Sequence, residues 1–305
     1  MKFLVLLNRD GGTLRTLDLY RFSAEVEQAL STAGHKAKIQ VVQGSELTAA
    51  LDAAARGRHE VVMVGGGDGT VSTAASKLMN STKALAVLPA GTMNLFARSL
   101  GVPMKLNAAV EALAHAPVRP VDLASANGRV FVHQFSIGMH AKLIKLREKR
   151  EFASRLGKIK ASGQAALDTF LNPPRIKAGL TMKGEEMLVG TTGIGITNNL
   201  FGEGHLPYPD ILDAGVLGVY VTRARSKQEL AKFFLNMAIG RWRLNEQVDI
   251  YQTEELVLRL HSRHRRLACA IDGELQDLET ETVFRIHPKV LKVLAPHKAD
   301  QSDQA

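Results

Sequence analysis

The first 90 residues alternate short apolar runs with segments of helical periodicity. The predicted strands are Phe3–Leu7, Ala37–Val42, Val61–Val64 and Leu85–Leu88, and the predicted helices cover Leu19–Thr32, Ser45–Arg56 and a segment from Val71. Alternation of this kind predicts a parallel sheet covered by helices. Ligands of such sheets bind beyond the carboxyl ends of the strands, so we expect a binding site at the loops that follow these runs.

The character of the chain changes near residue 123. A predicted helix near Asn107–His115 is followed by Pro117 and Pro120, and strand-like runs dominate from Leu123 onward. These runs are Val130–Phe135, Lys177–Met182, Met187–Thr197, Val216–Val221, Glu255–Leu260, Leu267–Ile271 and Thr282–Ile286, with helices near Ala141–Phe170 and Ser226–Trp242. We predict an α/β domain over 1–122 and a β-rich, antiparallel, sandwich-like domain over 123–287, with 288–305 returning to the first through Val290–Leu294.

The length of 305 residues and the 45% hydrophobic content allow more than one buried core. The single Cys269 cannot form an internal disulfide, which favours a reducing compartment and predicts a cytoplasmic location. The apolar start Phe3–Leu7 is too short for a signal-peptide core. No run approaches the roughly 20 apolar residues that span a bilayer, so any membrane contact is expected to be peripheral.

The net charge of +9 predicts an anionic partner, such as a nucleotide, a nucleic acid or an acidic lipid. Aromatic residues make up only 5% of the chain, and the sequence contains no stacking platform, zinc-finger spacing or recognition-helix pattern. Nucleic acid is therefore the least favoured of the three.

The strongest motif is Gly65-Gly66-Gly67-Asp68-Gly69-Thr70, which directly follows the strand Val61–Val64 and opens a helix. Glycines let a backbone approach phosphate closely, and the amides of a helix N-terminus supply donors for an anion. The motif lacks the Gly-Lys-Ser/Thr of a Walker loop and the third glycine of a Rossmann fingerprint. Because phosphate repels the Asp68 carboxylate, the turn predicts a bridging Mg²⁺ or a carboxylate that accepts hydrogen bonds. A strand–helix turn capped by Asp68 is the structural alternative.

A second turn, Pro89-Ala90-Gly91-Thr92-Met93-Asn94, follows the strand Leu85–Leu88. It places the small polar residues Thr92 and Asn94 at the carboxyl end of that strand. If the two strands are neighbours in a parallel sheet, both turns lie beside one crevice. A helix N-cap made by Thr92 or Asn94 is the alternative.

In this order and spacing the two turns resemble the diacylglycerol kinase catalytic family, which includes sphingosine kinases and bacterial lipid kinases. The resemblance extends along most of the chain. Its other parts are the loop Asn8–Thr13, the helix Leu95–Arg98, Asn198-Asn199, Gly202-Glu203-Gly204, Pro209 and the acidic turn Asp272-Gly273-Glu274. The family fold, a nucleotide-binding α/β domain with a β-rich lipid-facing domain, agrees with the pattern read from the strands and helices.

The resemblance implies transfer of the γ-phosphoryl group of Mg-ATP to the hydroxyl of a lipid, such as diacylglycerol. The residues that it places in the nucleotide site are Gly66, Gly67, Asp68, Gly69, Thr70, Thr92 and Asn94. Asp68 would also act in catalysis and reach the metal through ATP. In the acidic turn we predict that Glu274 is the base and that Asp272 shapes the turn or touches metal, with the reverse assignment and a plain surface β-turn as alternatives.

The chain departs from the family pattern in several places. Ser72-Thr73 stands where relatives often carry Asn-Glu, and Leu95 stands where Asp is frequent. Relatives commonly have Asp-Asp-Gly where this chain has Asp213-Ala214-Gly215, and they use the second Asp for a structural Mg²⁺. Asp213 or Asp210 is the candidate replacement ligand, and loss of this metal site is the alternative.

A basic stretch runs from Lys142 to Lys160, and we predict that its amphipathic helix rests on anionic lipid headgroups at the inner face of the membrane. The residues assigned to this face are Lys142, Lys145, Lys149 and Arg150. Arg241–Arg243 and His261–Arg266 could extend it, and an ordinary solvated helix is the alternative.

Two other functions fit the same motifs. NAD kinases share the Gly-Gly-Asp-Gly-Thr turn, so a kinase of a soluble acceptor is one of them. A non-catalytic nucleotide or lipid sensor is the other, which the change at Ala214 would permit. The later turns and the basic stretch favour the lipid kinase.

Overall fold

The computed structural model describes residues 1–148, 172–203, 207–224, 226–238, 240, 245–261 and 267–296. It contains two compact units. The first unit comprises Met1–Leu123, Ile211–Ala214 and the segment from His287 onward, and the second comprises Ala124–Asp210 and Gly215–Ile286.

In the described residues the strands are β1 (Lys2–Asn8), β2 (Lys36–Val42), β3 (Val61–Gly66), β4 (Ala84–Pro89), β5 (Val118–Ala126), β6 (Arg129–Phe131), β7 (Gln134–Gly138), β8 (Ile176–Met182), β9 (Glu185–Thr191), β10 (Gly193–Asn198), β11 (Leu217–Thr222), β12 (Val248–Thr253), β13 (Glu255–Leu260), β14 (Ala268–Ile271), β15 (Glu274–Asp277) and β16 (Glu281–Leu294). The helices are α1 (Leu19–Thr32), α2 (Leu47–Arg56), α3 (Asp68–Leu78), α4 (Leu95–Ser99), α5 (Leu106–Ala114), α6 (Met139–Glu148) and α7 (Lys227–Ala238), with 3-10 turns at Gly12–Thr16 and Gly44–Glu46.

The first unit is built on a parallel sheet in the order β2-β1-β3-β4. Residues 3–8 of β1 and all of β3 and β4 are buried, as expected for parallel strands with helices on both faces. The final apolar run adds to this sheet, because Lys292 and Val293 of β16 pair in parallel with Ala84 and Leu85. The predicted α/β architecture is confirmed.

The second unit contains two largely antiparallel sheets. One has the strand order β12-β11-β10-β7-β14-β15, and the other includes β13 paired with β16 and β8, and β8 paired with β9. Apolar side chains from both sheets form one buried cluster, in which the rings of Phe135 and Phe284 meet edge to face at 4.7 Å. This is the predicted sandwich-like arrangement.

Several element boundaries differ from those that the sequence predicts. The run Val130–Phe135 forms two strands, β6 and β7, interrupted at Val132-His133, and the run Met187–Thr197 forms β9 and β10. Helix α3 begins at Asp68 instead of Val71, because Gly67 has the extended backbone of an N-cap residue and Asp68 suits the first turn of a helix. Residues 149–170 of the predicted helix Ala141–Phe170 lie outside the described residues.

The segment Ile211–Ala214 also differs from expectation. The sequence places it inside the second domain, but it lies with the first unit. The reason is a main-chain contact, because the amide of Asp122 donates to the carbonyl oxygen of Leu212 at 2.7 Å.

Candidate active site

Three loops of the first unit lie at the carboxyl ends of three neighbouring strands. The strands β1, β3 and β4 are adjacent, with Phe3 paired with Val61 and Val61 paired with Ala84. The loops after them carry the glycines of the three sequence motifs. Strand order alone therefore brings the motifs to one edge of the sheet, where ligands of open α/β sheets bind.

The glycines at this edge are required because the three loops touch through their backbones. A Cβ added to Gly91 would lie 2.7 Å from the Cα of Gly67 and 2.9 Å from Oδ1 of Asn94. Gly12 has a left-handed φ of 40°, and a Cβ there would overlap the carbonyl oxygen of Ala90. The amide of Thr13 donates to that same carbonyl at 2.8 Å. The result is an edge where the main chains of three loops lie close together, an arrangement that suits phosphate groups.

Asp68 connects two of these loops. Its Oδ1 accepts a hydrogen bond from the amide of Leu95 at 3.2 Å, so the carboxylate satisfies an amide at the start of α4. Among the described residues Oδ2 has no hydrogen-bond partner. The carboxylate therefore both holds the Asn94–Leu95 turn and keeps one oxygen for a ligand. Asp68 does not cap its own helix, the alternative derived from the sequence, because the N-cap of α3 is Gly67 and the Asp68 hydrogen bond goes to the neighbouring turn.

Asn94 shapes the second turn. Its backbone is left-handed, with φ of 52°, a conformation that Asn tolerates better than most residues. Its side chain closes a ring with Gly91, accepting from the Gly91 amide at 2.8 Å and donating to the Gly91 carbonyl at 3.0 Å. Asn94 thus holds Gly91 against Gly67. Thr92 is exposed at the tip of the same turn, where its hydroxyl is accessible to a ligand.

The remaining residues of the Gly-Gly-Asp-Gly-Thr motif divide into two groups. Gly67 and Gly69 are partly exposed at the loop, whereas Gly66 and Thr70 are buried. The Thr70 side chain packs on Gly66 so closely that a Cβ on Gly66 would overlap it. Thr70 Oγ1 also accepts from Asn8 Nδ2 at 3.1 Å. Thr70 therefore connects α3 to the end of β1, and its side chain lies buried beneath the loop.

The first loop contributes more than the predicted residue set includes. Asn8 binds Thr70, and its Oδ1 accepts from the amide of Asp10 at 3.1 Å. The Asp10 carboxylate in turn accepts from the amide of Gly44 at 2.7 Å. Asn8 and Gly12 stand in the motif Asn8–Thr13 that follows the first strand. The adjacency of β1 and β3 is the signal that would have included them.

The acidic turn of the second unit joins β14 and β15 in a two-residue hairpin. Ile271 pairs with Glu274, and Asp272 and Gly273 have positive φ values of 47° and 87°. Two consecutive positive φ values define the type I′ turn, for which Asp-Gly is a preferred sequence. The glycine is therefore required by the turn itself.

The Asp272 carboxylate binds a distant piece of main chain. Oδ2 accepts from the amide of Val132 at 2.9 Å, and Oδ1 accepts from the amides of His133 and Gln134 at 2.9 and 3.1 Å. These amides lie where the predicted strand Val130–Phe135 breaks, so Asp272 supplies the acceptors that a continuous strand would have supplied. Of the alternatives for Asp272, the geometry favours the turn-shaping role.

Glu274 is presented differently. Its side chain is 59% exposed, and Oε2 lies 3.5 Å from a guanidinium nitrogen of Arg129, which is 48% exposed. An exposed pair of this kind contributes little to stability. The carboxylate is therefore accessible, as a proton acceptor must be, and among the described residues it makes no main-chain hydrogen bond.

A buried polar group that the motifs did not reveal lies beside this turn. His133 is 7% exposed, its ring stacks on Phe201 at 5.3 Å, and Nε2 has no hydrogen-bond partner among the described residues. Burial, with a smaller contribution from the charge of His140, lowers the pKa of His133 to about 3. The imidazole is therefore neutral at physiological pH.

The residues present fit a metal in one of the two predicted places. Mg²⁺ in kinases is held by one or two carboxylates together with substrate phosphates, and the second oxygen of Asp68 at the glycine loops suits this arrangement. Asp213 is exposed. Within the described ranges, no group of three or more His, Cys, Asp or Glu side chains could hold a metal ion, so Asp213 is not part of a protein-built metal cage there.

Only part of the predicted membrane face can be placed. Lys145 is exposed on α6, and Lys142 Nζ donates to the carbonyl of Asn172 at 2.7 Å. Lys149, Arg150, Arg241–Arg243 and the residues after His261 in its basic run lie outside the described residues. In the part of the chain that the structure describes, no helix has the length and apolar character needed to cross a membrane.

Comparison with known proteins identifies both halves of the chain. Residues 2–126 match the family model of the diacylglycerol kinase catalytic domain. Residues 134–295 match the model of the YegS C-terminal NAD kinase beta sandwich-like domain.

Individual relatives agree with these matches. The chain is 26% identical over 292 residues to the diacylglycerol kinase of Bacillus subtilis (strain 168), covering 92% of this chain and 93% of that protein. It is 38% identical over 87 residues, or 28% of each chain, to a Pseudomonas aeruginosa protein named "Probable lipid kinase YegS-like". The crystal structure of a diacylglycerol kinase from Bacillus anthracis str. Sterne shares the fold, with a TM-score of 0.72 at 19% identity over 96% of both chains.

Proposed function

This chain belongs to the diacylglycerol kinase and YegS-like lipid kinase family, and on that premise we propose that it transfers the γ-phosphoryl group of ATP to a lipid hydroxyl at a membrane surface. The kinase class follows from the family. ATP as the donor, a lipid such as diacylglycerol as the acceptor, and action at the inner face of the membrane are the proposed parts.

The observation that carries the proposal is the backbone cradle of the first unit. Gly12 and Gly91 lie so close to the main chain of the neighbouring loops, at Ala90 and Gly67, that a Cβ at either position would clash. The first turn of α3 adds amides that have no intrahelical acceptor, and the positive end of the helix dipole favours an anion. A triphosphate is the ligand that such a surface fits best, since both donors and space are supplied by main chain.

Phosphoryl transfer gains mainly from positioning and from neutralising charge. Mg²⁺ bound with the nucleotide would supply the charge neutralisation. The loop amides would hold the phosphates, and Asp68, whose position is set by its bond to Leu95, would hold the metal. Thr92 and Asn94 would complete the turn beside the nucleotide.

The acceptor hydroxyl needs a group that takes its proton. We assign this role to Glu274, because its carboxylate is exposed and its ion-pair partner is the exposed cation Arg129. Asp272 would act as a positioning residue, since its oxygens hold the backbone of residues 132–134 and the hairpin that carries Glu274.

The proposal is tested by incubating the purified chain with radiolabelled ATP, Mg²⁺ and lipids in mixed micelles. The panel contains diacylglycerol, monoacylglycerol, phosphatidylglycerol and a sphingoid base, with NAD as a soluble acceptor. We expect label in a lipid and none in NADP. Label in NADP alone would replace the lipid acceptor with a soluble one, and no transfer to any acceptor would contradict the kinase assignment.

Two substitutions at Asp68 separate its chemical role from its structural one. Asp68→Asn retains an oxygen that can accept the Leu95 hydrogen bond but removes the charge, whereas Asp68→Ala removes both. We expect both variants to lose phosphoryl transfer, and only Asp68→Ala to lose about 1 kcal/mol of stability. Transfer at the wild-type rate by folded Asp68→Asn would remove Asp68 from the catalytic machinery.

A further inference from the structure

The first unit has a cavity at the edge of the sheet opposite the glycine loops. Its volume is about 520 Å³, and its wall includes Arg58, His59, Glu60, Lys83, Val118 and Lys292. Strand β3 begins at this cavity with Val61 and ends at the loops with Gly66. Because a strand rises about 3.3 Å per residue, the two places are roughly 17 Å apart along that strand.

The unusual residue of this cavity is Lys83. It is 8% exposed, and its ammonium donates to the carbonyl oxygens of Gly57 at 2.6 Å and His59 at 2.7 Å. Those carbonyls supply two of the three hydrogen bonds that an ammonium can make, but they supply no negative charge. No carboxylate of the described residues lies within ion-pair distance of Lys83. A buried charge is ordinarily paired, because its desolvation is otherwise uncompensated.

The surroundings add positive charge. Arg58 and Lys292 are exposed at the wall, and within the described ranges neither forms an ion pair. The one carboxylate of the wall, Glu60, accepts a hydrogen bond from the backbone amide of Lys2 at 2.8 Å. Three cations therefore face one carboxylate whose acceptor capacity is partly used.

The pKa of His59 reflects the same positively charged surroundings. Burial, together with the charges of Lys83, Lys38 and Lys2, lowers the pKa of its imidazole. A neutral imidazole retains one N–H donor, and His59 belongs to the cavity wall. The wall thus supplies a guanidinium, two ammonium groups and an imidazole, a donor set suited to a phosphate dianion.

We propose that this cavity is a second anion site, separate from the nucleotide cradle, which binds a phosphate group through Arg58, Lys83 and Lys292. Its volume exceeds that of a bare phosphate and lies in the range of about 300–1,000 Å³ typical of small-molecule pockets. The ligand class is therefore a phosphomonoester, either a soluble molecule or a lipid headgroup that ends in phosphate. Lys83 is the buried contact of the site and is held in place by its two carbonyl partners. Arg58 and Lys292 contact the anion from the exposed part of the wall.

The test is isothermal titration calorimetry of the full chain with inorganic phosphate and with glycerol 3-phosphate at low ionic strength. Co-sedimentation with phosphatidylcholine vesicles that carry phosphatidic acid is the lipid arm. Soluble binding identifies a soluble ligand, and vesicle binding without soluble binding identifies a headgroup. Absence of binding in both arms overturns the proposal.

The variant Arg58→Gln with Lys292→Gln distinguishes this cavity from the glycine loops, which it leaves intact. We expect its affinity for the bound probe to fall at least about tenfold. The matched control is Lys105→Gln with Lys177→Gln, which removes the same charge at exposed positions outside the cavity and should change affinity by less than about twofold. Equal losses in both variants, or no loss in the first, would show that the anion binds elsewhere.

Lys83→Met provides an independent check, because methionine fills similar volume without the charge. The expected result is a folded protein, verified by circular dichroism, with the same loss of phosphate affinity. If Lys83→Met does not fold, the Arg58 and Lys292 double variant decides the proposal alone. Retained affinity in a folded Lys83→Met variant removes Lys83 from the site.

Discussion

Gly91→Ala should separate the two glycine turns by a calculable steric effect. The new Cβ would lie 2.7 Å from the Cα of Gly67 and 2.9 Å from Oδ1 of Asn94, whereas non-bonded carbons prefer about 3.5–4.0 Å. The turns must therefore move apart by about 1 Å. Gly91 does not have a left-handed φ, so backbone strain is not part of the effect. Overpacking of this kind costs about 1–3 kcal/mol.

The matched control is Gly67→Ala, which approaches the same contact from the other side. Its Cβ would meet only the Cα of Gly91, at 3.8 Å, an ordinary van der Waals distance. We expect Gly67→Ala to cost under about 1 kcal/mol, mainly because alanine is a poorer N-cap than glycine.

Thermal unfolding and phosphoryl transfer measure the two consequences. At about 2–4 °C per kcal/mol for a domain of 150–250 residues, Gly91→Ala should lower Tm by several degrees, and Gly67→Ala by clearly less. Turnover of Gly91→Ala should fall further than its stability explains, measured well below its Tm, because the cradle is wider. Equal Tm values for the two variants would refute the reasoning that backbone contact holds the loops together.

The second unit allows three further predictions. The wild-type free energy of unfolding should fall by up to about 1.4 kcal/mol per pH unit as pH drops from about 6.5 toward 3, because buried His133, with its pKa lowered to about 3, stays neutral only in the folded chain. Urea titrations at several pH values should show this part of the slope disappear in His133→Phe, and an unchanged slope would place the titration elsewhere. Asp272→Ala should cost about 2 kcal/mol or more in the same assay, because three amides lose their acceptor, and a cost below 0.5 kcal/mol would mean that water replaces it. Glu274→Gln should leave stability within about 0.5 kcal/mol but reduce turnover roughly 10²-fold or more, and unchanged turnover would move the base to another residue.

The fold class could be predicted from local pattern. Apolar runs such as Val61–Val64 and Leu85–Leu88 are fully buried strands, because only a sheet covered on both faces accommodates uninterrupted apolar residues. The turn after each run was recognisable from its glycines. Glycines directly after a buried strand are costly unless a close approach requires them, so their position pointed to the phosphate-binding edge.

Residue roles inside the motifs were decided by tertiary contacts. Thr70 and Gly69 are neighbours in one motif, yet Thr70 is buried against Asn8 and Gly69 lies at the loop. For Asp272 and Glu274, the sequence assigned the base to Glu274 only through the family resemblance, with the reverse assignment as the alternative. Only the positions of the amides of residues 132–134 commit Asp272 to structure and leave Glu274 exposed.

The sequence by itself determined which local elements form, because periodicity, glycine placement and turn chemistry act over a few residues. The tertiary structure alone decided which distant residues meet, since such contacts depend on strand order and register. Lys83 illustrates the difference. In the sequence it is one of 39 basic residues with no motif around it. In the fold it is a buried cation beside a cavity, because β3 and β4 start side by side and the turn before β3 places two carbonyl oxygens over its ammonium.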